Sequence, residues 1–318
     1  MAKRIDIEDF KSASSPSTAS KVLERGVKYC ESLEDGDILF FSEIPFDFPK
    51  EDLNFLLKQK QTEAKKRKNI AYKPSINKIS NHLSTSLPEQ EKLHDVMKRF
   101  SHNVSTFLAK LLTPYASLWK LDYASFRPFE EKGRKLRLRA RNDLLHVDAF
   151  PSRPMHGDRI LRFFVNINPE ASRKWITSEP FSVLAGRLIK DNKLELPKTA
   201  HSFSSKLGKL MKKTASPLGF PVRYKSPYDH FMLQMHHFLK EDEDFQKKGK
   251  KDHWEFPPFS CWMVFTDQVT HAALEGQYAL EQTFIVPREA LLNPEKAPIS
   301  ILERLSGEIM TDREPKKV

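Results

Sequence analysis

The chain has 318 residues, of which 39% are hydrophobic, and this is enough to bury a substantial core as one large or two modest domains. No apolar run reaches the roughly 20 residues of a membrane-spanning helix, and Cys30 and Cys261 alone give no disulfide framework, so a cytoplasmic protein is expected. With 53 Lys and Arg against 42 Asp and Glu, the formal net charge of +11 favours an anionic partner such as nucleic acid, an acidic membrane surface, or a phosphorylated or carboxylated substrate.

The first stretch, residues 1–120, is predicted to be a mainly helical region that packs on the core of the protein. Pro49 stands at a position where proline is tolerated, the start of a helix. Between residues 85 and 118, apolar residues recur at the i, i+3, i+4 and i+7 spacing of a helix with one buried face. That long helix should bury Leu93, Val96, Met97, Phe100, Val104, Phe107, Leu108 and Leu111.

Strands dominate after this helix, and residues 121–290 are predicted to hold the β-core. Arg and apolar residues alternate from Gly133 to Arg141, as they do in a half-buried strand. Arg137, Arg139 and Arg141 would then share one basic face. Exposure to solvent explains such a face, and so does the lining of a cleft for an anionic substrate.

His146-Val147-Asp148 is an H-x-D motif at what the pattern predicts to be the end of a strand. In an extended chain residues i and i+2 point to the same face, so the imidazole and the carboxylate could bind one cation. Two such ligands and one distant His form the facial triad of non-haem Fe(II) oxygenases, which leaves open positions for a co-substrate and O2. Taken alone, the motif is better explained by a solvated His and Asp, so its context has to decide.

The sequence after the motif favours the metal-binding interpretation. A turn-rich connector leads from Ala149 to Asp158, and the β-branched and aromatic residues that follow end at Pro169. A strand, a turn and a second strand in this order suit an α+β fold built around a double-stranded β-helix. This is the jelly-roll or cupin-like core, whose mouth would hold the metal.

Residues 187–255 break the β pattern and are predicted to be a helical insertion within the core. Two Lys-rich amphipathic stretches, 201–220 and 226–253, make up most of it. The insertion also contains the adjacent pair His236 and His237. Because adjacent residues on a helix point in different directions, this pair is not predicted to bind a metal.

His271 lies between two apolar strands, just after a turn predicted at Thr266-Asp267. That position, one strand before the end of the core, is where the distal His of a facial-triad jelly roll falls. His271 is therefore the predicted third ligand, and His156 is the main rival, although its loop would have to fold back. The remaining residues, 291–318, are predicted to form a C-terminal tail with a short helix.

Three stretches, LLHVDAFPSRP, RILRFFVNINP and TDQVTHAALEGQYALEQTFIVP, resemble the Kdo 3-hydroxylase family over about Tyr123 to Pro287. Kdo is 3-deoxy-D-manno-oct-2-ulosonic acid, a sugar acid of the lipopolysaccharide inner core. The resemblance implies an Fe(II)- and 2-oxoglutarate-dependent dioxygenase that uses O2 to hydroxylate carbon 3 of Kdo. It further implies a lipid A-linked substrate at the cytoplasmic face of the inner membrane, with His146, Asp148 and His271 as iron ligands.

The 2-oxoglutarate site departs from a pattern common in such dioxygenases. Many place an Arg shortly after the distal His, where this chain has Leu280, Glu281 and Gln282. Gln282 can hydrogen-bond a carboxylate but brings no charge, whereas a guanidinium fork provides both. Some relatives use a basic residue on the strand after H-x-D, so Arg162 is the predicted partner of the far carboxylate and Arg159 the second choice. Ordinary strand-surface arginines are the alternative for both.

A phosphorylated, lipid-linked sugar acid is densely anionic, and the arginines that could neutralise it are Arg127, Arg137, Arg139, Arg141, Arg153 and Arg173. The Lys-rich insertion could add weak attraction to an acidic leaflet, so peripheral contact with the inner membrane is expected.

Two other functions stay open at this point. One is the same iron chemistry on a protein side chain or a nucleobase, and the other is a basic module that binds nucleic acid. Scattered Lys and Arg without a recognition-helix or RNA-binding signature argue against the second, and no nucleic-acid partner is expected.

Overall fold

The fold is mixed α/β, with strands and helices distributed along most of the chain. The computed structural model describes residues 1–8, 19–59, 69–83, 86–196 and 224–311. Within these ranges the strands are β1 (Arg4–Asp6), β2 (Ile38–Phe41), β3 (Ile70–Lys73), β4 (Lys78–Ser80), β5 (Lys120–Arg127), β6 (Arg159–Asn166), β7 (Arg173–Pro180), β8 (Asp252–Phe256), β9 (Cys261–Phe265), β10 (Val269–Glu275) and β11 (Ala279–Val286). The α-helices there are α1 (Ala19–Glu34), α2 (Lys50–Leu57), α3 (Leu87–Leu111), α4 (Thr113–Ala116), α5 (Phe181–Lys190), α6 (Pro227–Glu241), α7 (Glu243–Lys248) and α8 (Pro298–Ser306).

The strands form two sheets. An eight-stranded sheet has the order β1-β2-β9-β6-β11-β5-β3-β4, and a three-stranded sheet has the order β10-β7-β8. β1 and β2 are parallel, whereas all other described pairs are antiparallel. β6 and β11 lie at the centre of the large sheet and pair without a register shift from Ala279↔Asn166 to Val286↔Arg159.

The two faces of the large sheet are covered differently. On β6, Leu161 and Phe163 point to the face that packs against the helices. Phe164 points to the opposite face, where it packs in an aromatic cluster with Trp175 and Phe256 of the small sheet. This alternation is the period of two that a regular strand imposes. The layers are therefore helices, large sheet and small sheet.

The long helix predicted between residues 85 and 118 is confirmed as α3. Its buried residues lie on the predicted stripe, and they are Leu93, Val96, Met97, Phe100, Ser101, Val104 and Leu108. Pro49 directly precedes α2, as predicted. The N-terminal region is nevertheless less helical than expected, because β1 and β2 extend one edge of the large sheet while β3 and β4 extend the other.

The prediction of a strand from Gly133 to Arg141 is wrong. The chain there has one 3-10 turn, Leu138–Ala140, and no strand pairing. Leu138 is 44% exposed, so the apolar half of the alternating pattern has no core to pack against. Without a burial partner on one face, the pattern alone does not make a strand stable.

The helical region begins earlier than predicted, since α5 follows β7 directly at Phe181. α6 and α7 come before β8, at which the strands resume. The helix predicted around 201–220 lies outside the described residues. None of the described helices is both long and apolar enough to cross a membrane.

The N-terminus of α6 is tied to the loop that follows the H-x-D motif. Ser226 and Asp229 form a capping box, in which each side chain accepts a hydrogen bond from the backbone N–H of the other. The Asp229 carboxylate also accepts the backbone N–H groups of Met155 (2.6 Å) and His156 (3.1 Å). One buried carboxylate thus fixes the start of α6 beside this loop.

Glu34, the last residue of α1, connects three parts of the chain. Its buried carboxylate accepts hydrogen bonds from the Tyr115 hydroxyl at 2.6 Å, the Leu292 N–H at 2.9 Å and the Asn293 N–H at 2.6 Å. α1, the short α4 and the segment after β11 are therefore held together by one side chain.

Candidate metal centre

His146, Asp148 and His271 come together although they are distant in sequence. His146 forms an antiparallel bridge with His271 of β10, in which the two residues exchange backbone hydrogen bonds of 3.0 and 2.9 Å. The Asp148 N–H donates to the carbonyl of Thr266 at 2.8 Å. This bond holds the end of the H-x-D motif against the residue that follows β9 of the large sheet. One potential ligand atom from each of the three residues lies within 4.8 Å of the others. No other group of His, Cys, Asp and Glu has this geometry in the part of the chain that the structure describes.

Two backbone carbonyls fix the orientation of the histidine rings. His146 Nδ1 lies 2.7 Å from the Leu144 oxygen, and His271 Nδ1 lies 2.8 Å from the Val269 oxygen. A carbonyl oxygen only accepts, so Nδ1 carries the hydrogen in both rings and Nε2 keeps a free lone pair. This is the usual arrangement of a metal-binding imidazole.

Burial and neighbouring charges set the protonation states that metal binding requires. Burial lowers the pKa of His146 and His271, so both rings are neutral at neutral pH. Burial by itself would raise the pKa of the Asp148 carboxyl, but the positive charge of Arg162 is the main opposing effect, and that pKa lies well below its usual range. Two neutral imidazoles and one carboxylate are therefore ready without loss of a proton.

This donor set fits Fe(II). Two nitrogens and one oxygen on one side of an ion leave further positions open, as in the facial triad of iron oxygenases. Asp148 Oδ2 is buried without a hydrogen-bond partner and lies 3.0 Å from Arg162 Nε, in an alignment that makes no hydrogen bond. A buried acceptor left open in this way is what an ion or a ligand would satisfy.

A chain of buried ion pairs, which we call the arginine network, begins at Asp148. Arg162 contacts the Glu281 carboxylate at 2.7 Å, and Glu281 in turn accepts from Arg127 at 2.8 Å. Arg127 contacts Glu131 at 3.3 Å, and Glu131 contacts Arg173 at 3.2 Å. The network thus runs from the metal centre through β6, β11 and β5 to β7.

The arginine network has more donors than acceptors. The Nε atoms of Arg127, Arg162 and Arg173 are buried without hydrogen-bond partners, and so is the indole Nε1 of Trp175. The Trp175 ring also stacks on His271, with ring centroids 5.1 Å apart. A ligand that only accepts hydrogen bonds, such as a carboxylate, would satisfy these groups.

Arg159 and Gln282 are not on the face of the sheet that carries the triad. Arg159, three positions before Arg162 on a regular strand, points to the helix side, where it pairs with Asp267 at 2.7 Å and stacks over Phe265. Gln282 alternates with Glu281 and donates to the carbonyls of Asp122 and Thr283. The geometry therefore disfavours both as 2-oxoglutarate partners and leaves Arg162.

The arginines predicted to bind substrate fall into two groups. Arg127 and Arg173 are within the buried network. The others lie outside the sheets: Arg137 is exposed just before the 3-10 turn that contains Arg139. Arg139, Arg141 and Arg153 pair with Glu241, Asp143 and Asp122 respectively. Arg153 also stacks on the rings of Tyr123 and Phe150.

Two residues of α6 beside the triad were not predicted. The His236 Nδ1 lies 2.7 Å from the Val147 oxygen, and its ring stands edge-on to His146 with centroids 5.1 Å apart. Burial lowers the pKa of His236 to about 4. Lys240, one turn further on, is buried and raises the positive potential at all three histidines. The i, i+4 spacing of this pair was the signal that could have found them.

A buried His–Asp–His cluster with open positions, placed between two sheets and beside buried arginines, defines the class of mononuclear non-haem iron oxygenases. The particular family follows from direct comparison. The family model described as 3-deoxy-D-manno-oct-2-ulosonic acid (Kdo) hydroxylase matches residues 17–309, so the chain belongs to that family, as its resemblance predicted.

Solved structures of the Kdo hydroxylase KdoO, a non-haem Fe(II) alpha-ketoglutarate-dependent dioxygenase, are similar over nearly the whole chain. The apo structure is 34% identical, covers 99% of this chain and 100% of that chain, and has a TM-score of 0.81. The complex with alpha-ketoglutarate and Fe(III) is 33% identical, with coverages of 99% and 100% and a TM-score of 0.81. The complex with succinate and Fe(III) is 34% identical, with coverages of 99% and 99% and a TM-score of 0.79. Comparison with curated proteins gives no match.

Proposed function

We propose that this protein hydroxylates carbon 3 of lipid A-linked Kdo with Fe(II), O2 and 2-oxoglutarate, and releases succinate and CO2. One oxygen atom of O2 enters the sugar, giving D-glycero-D-talo-oct-2-ulosonic acid (Ko), and the other enters succinate. The observation that carries the proposal is the preformed His146–Asp148–His271 cluster, which adjoins a donor-rich arginine network in a member of the Kdo hydroxylase family.

We interpret the two sheets as the jelly-roll, or double-stranded β-helix, of this enzyme class. The antiparallel strands β9, β6, β11 and β5 face β10, β7 and β8, and the bridge from His146 to His271 extends the small sheet. The triad then lies at one end of the space between the sheets, which is where such a barrel holds its metal.

The metal would be held by Nε2 of His146, Nε2 of His271 and the Asp148 carboxylate. When bound, Fe(II) supplies the activation of O2, which is driven by oxidative decarboxylation of 2-oxoglutarate. The chain supplies orientation and exclusion of water. The carbonyls of Leu144 and Val269 keep the rings in the binding tautomer, and the buried surroundings keep the imidazoles neutral.

The arginine network would bind 2-oxoglutarate. Arg162 is the residue of this network that contacts a triad member, so we assign the far carboxylate to it. We also assign Arg127, Arg173 and Trp175 to the 2-oxoglutarate site, because each has a buried donor without an acceptor. The two carboxylates of 2-oxoglutarate bring more acceptors than Arg162 alone can use. Glu131 and Glu281 pair with these arginines, so part of the positive charge is compensated within the protein itself.

The substrate would approach from the loops that hold Arg139, Arg141 and Arg153. These side chains are partly exposed and already pair with single carboxylates, which phosphate or sugar-acid groups could displace. A cytoplasmic protein that touches the inner membrane peripherally would meet a lipid-linked substrate in this way.

The test is an incubation of the protein with Fe(II), 2-oxoglutarate and Kdo2-lipid A without O2, followed by a shift to air. We expect succinate together with a lipid product heavier by one oxygen, and neither with His146→Ala. Succinate formation without the heavier lipid would keep the dioxygenase chemistry and remove Kdo as the substrate. Absence of metal-dependent succinate from the wild-type protein would overturn the proposal.

A further inference from the structure

Lys240 is a buried cation that has no salt bridge within the described residues. Only 3% of the residue is exposed, and its ammonium donates to the Arg139 carbonyl at 3.1 Å. An ammonium group can donate three hydrogen bonds, so this one neutral partner leaves two donors unused. A buried charge is unfavourable unless a counter-charge completes its surroundings, and such groups are often kept for binding or catalysis.

The surroundings of Lys240 point to an anion beside the metal centre. Burial lowers the pKa of Lys240 to about 8, against the weaker opposing effects of Asp148 and Asp143. An anion that bound next to the amine would raise this pKa again and stabilise the charged form. Arg162 of the arginine network contacts the triad from the large sheet, whereas Lys240 belongs to α6, so the two positive groups lie on different elements.

His236, one helical turn before Lys240, shows which face of α6 borders the metal centre. Its Nδ1 donates to the Val147 carbonyl at 2.7 Å, so Nε2 carries the lone pair. The ring lies edge-on to the metal ligand His146, with ring centroids 5.1 Å apart. Residues four apart lie on the same face of a helix, so Lys240 belongs to the face of α6 that borders the metal centre.

We propose that Lys240 binds the carboxylate of the sugar acid. This inference rests on the proposed function. In Kdo the carboxylate carbon is C1, and only C2 separates it from C3, so a residue that holds the carboxylate also fixes the carbon to be hydroxylated. Because the arginine network is then left to 2-oxoglutarate, the two acidic ligands do not compete for one anchor.

The first test compares Lys240→Met, which keeps the length of the side chain without its charge, with Lys240→Arg. Loss of a charged hydrogen bond should raise the KM for the Kdo substrate about tenfold to hundredfold in Lys240→Met, with partial recovery in Lys240→Arg. The KM for 2-oxoglutarate should stay within about twofold, since its anchor is intact. More succinate should form per hydroxylated lipid, because a loosely held sugar leaves C3 out of place.

Lys247→Met is the matched control, because Lys247 lies exposed on α7, where its ammonium pairs with Glu243. Its two KM values should equal those of the wild type. Each variant should also unfold in one cooperative thermal transition, at a temperature no lower than that of the wild type, and should show the wild-type visible absorption on anaerobic addition of Fe(II) and 2-oxoglutarate.

The second test uses a substrate whose Kdo carboxylate is converted to a methyl ester. The wild type should prefer the acid over the ester by about tenfold or more, and Lys240→Met should lose this preference. A merely structural role would lower kcat for both substrates equally. An unchanged preference, or a raised KM for 2-oxoglutarate in place of the sugar, would overturn the inference. Failure of the wild type to hydroxylate Kdo at all would instead overturn the proposed function.

Discussion

Two main-chain oxygens contribute to the metal centre at the scale of single residues. His146 and His271 each donate Nδ1–H to the carbonyl two positions earlier, Leu144 in one case and Val269 in the other. The same local bond in two distant segments leaves the two Nε2 atoms free to face one ion. The H-x-D motif and the distal His could be predicted from residue types and spacing. The carbonyls could not, because any residue type supplies one.

Arg162 and Arg159 show where the period of a strand decides a residue's role. β6 pairs regularly with both neighbours, so residues three apart point to opposite faces. The sequence limited the choice to one of the two, and the structure places Arg162 beside Asp148. Glu281 was not singled out, because a carboxylate next to a carboxylate-binding pocket runs against simple charge matching. In the structure Glu281 pairs with both Arg127 and Arg162, so its carboxylate compensates positive charge within the arginine network.

Arg162→Lys tests the assignment of the co-substrate. Lysine keeps the charge but loses the bidentate fork, so the KM for 2-oxoglutarate should rise about tenfold to hundredfold, as initial rates of succinate formation would show. Arg187→Lys, an exposed change on α5 next to Glu179, is the control and should leave this KM as it is. An unaltered KM in Arg162→Lys would remove Arg162 from the 2-oxoglutarate site.

Lys240 predicts a pH dependence of stability in the metal-free protein. Its pKa is lowered to about 8 in the folded state, against about 10.4 in an unfolded chain. Between these values the unfolded state binds more protons, so this residue makes the free energy of unfolding increase as the pH rises. Denaturant unfolding from pH 7 to 10 should therefore show Lys240→Met more stable than the wild type at pH 7, with a gap that narrows towards pH 10. A gap that is constant across this range would contradict the assigned shift.

At the scale of elements, packing decided where sequence patterns succeeded or failed. α3 was predictable because its apolar stripe is long and meets a core along its whole length. The alternating stretch from Gly133 to Arg141 has the sequence pattern of a strand equally clearly, but Leu138 is exposed to solvent and not buried in a core. Strand formation depends on neighbours that are distant in sequence, and a single-sequence pattern does not contain them.

Loss of the Glu34 carboxylate, which connects three elements, should lower stability. Glu34→Ala would leave the Tyr115 hydroxyl and two backbone N–H groups without their buried acceptor, which should lower the free energy of unfolding by about 3 kcal/mol. Urea unfolding measures this difference. Glu24→Ala, on the exposed face of the same helix, should change stability little. Equal stabilities of the two variants would show that Glu34 does not hold these elements together.

At the scale of the whole molecule, the position of the site results from topology. The triad needs β10 of the small sheet to lie against the segment before β6, and the arginine network needs β5, β11 and β6 side by side. The strand-turn-strand pattern after H-x-D and the family resemblance both indicated a jelly-roll core around the triad, but neither predicted the arginine network. The extension of the large sheet by β1 to β4 was not predicted, since strands of three or four residues carry too little pattern to recognise.

The net charge of +11 also acquires a more specific meaning in the structure. Some basic residues are buried beside the metal centre, in the arginine network and at Lys240, and others lie on exposed loops that could meet an anionic lipid. A basic surface for nucleic acid is not needed to explain the charge. An enzyme that binds both 2-oxoglutarate and an anionic substrate requires basic residues in its buried centre and on its surface.

Oxygen-18 labelling during turnover tests the central claim most directly. The protein would be given Fe(II), 2-oxoglutarate and Kdo2-lipid A under labelled O2, and both products would be analysed by mass spectrometry. We predict one labelled oxygen in the Kdo unit of the lipid and one in succinate, in equal amounts, and neither product with His271→Ala. Labelled succinate beside an unlabelled, unchanged lipid would contradict the assignment of Kdo as the substrate, and absence of label from both would contradict the dioxygenase itself.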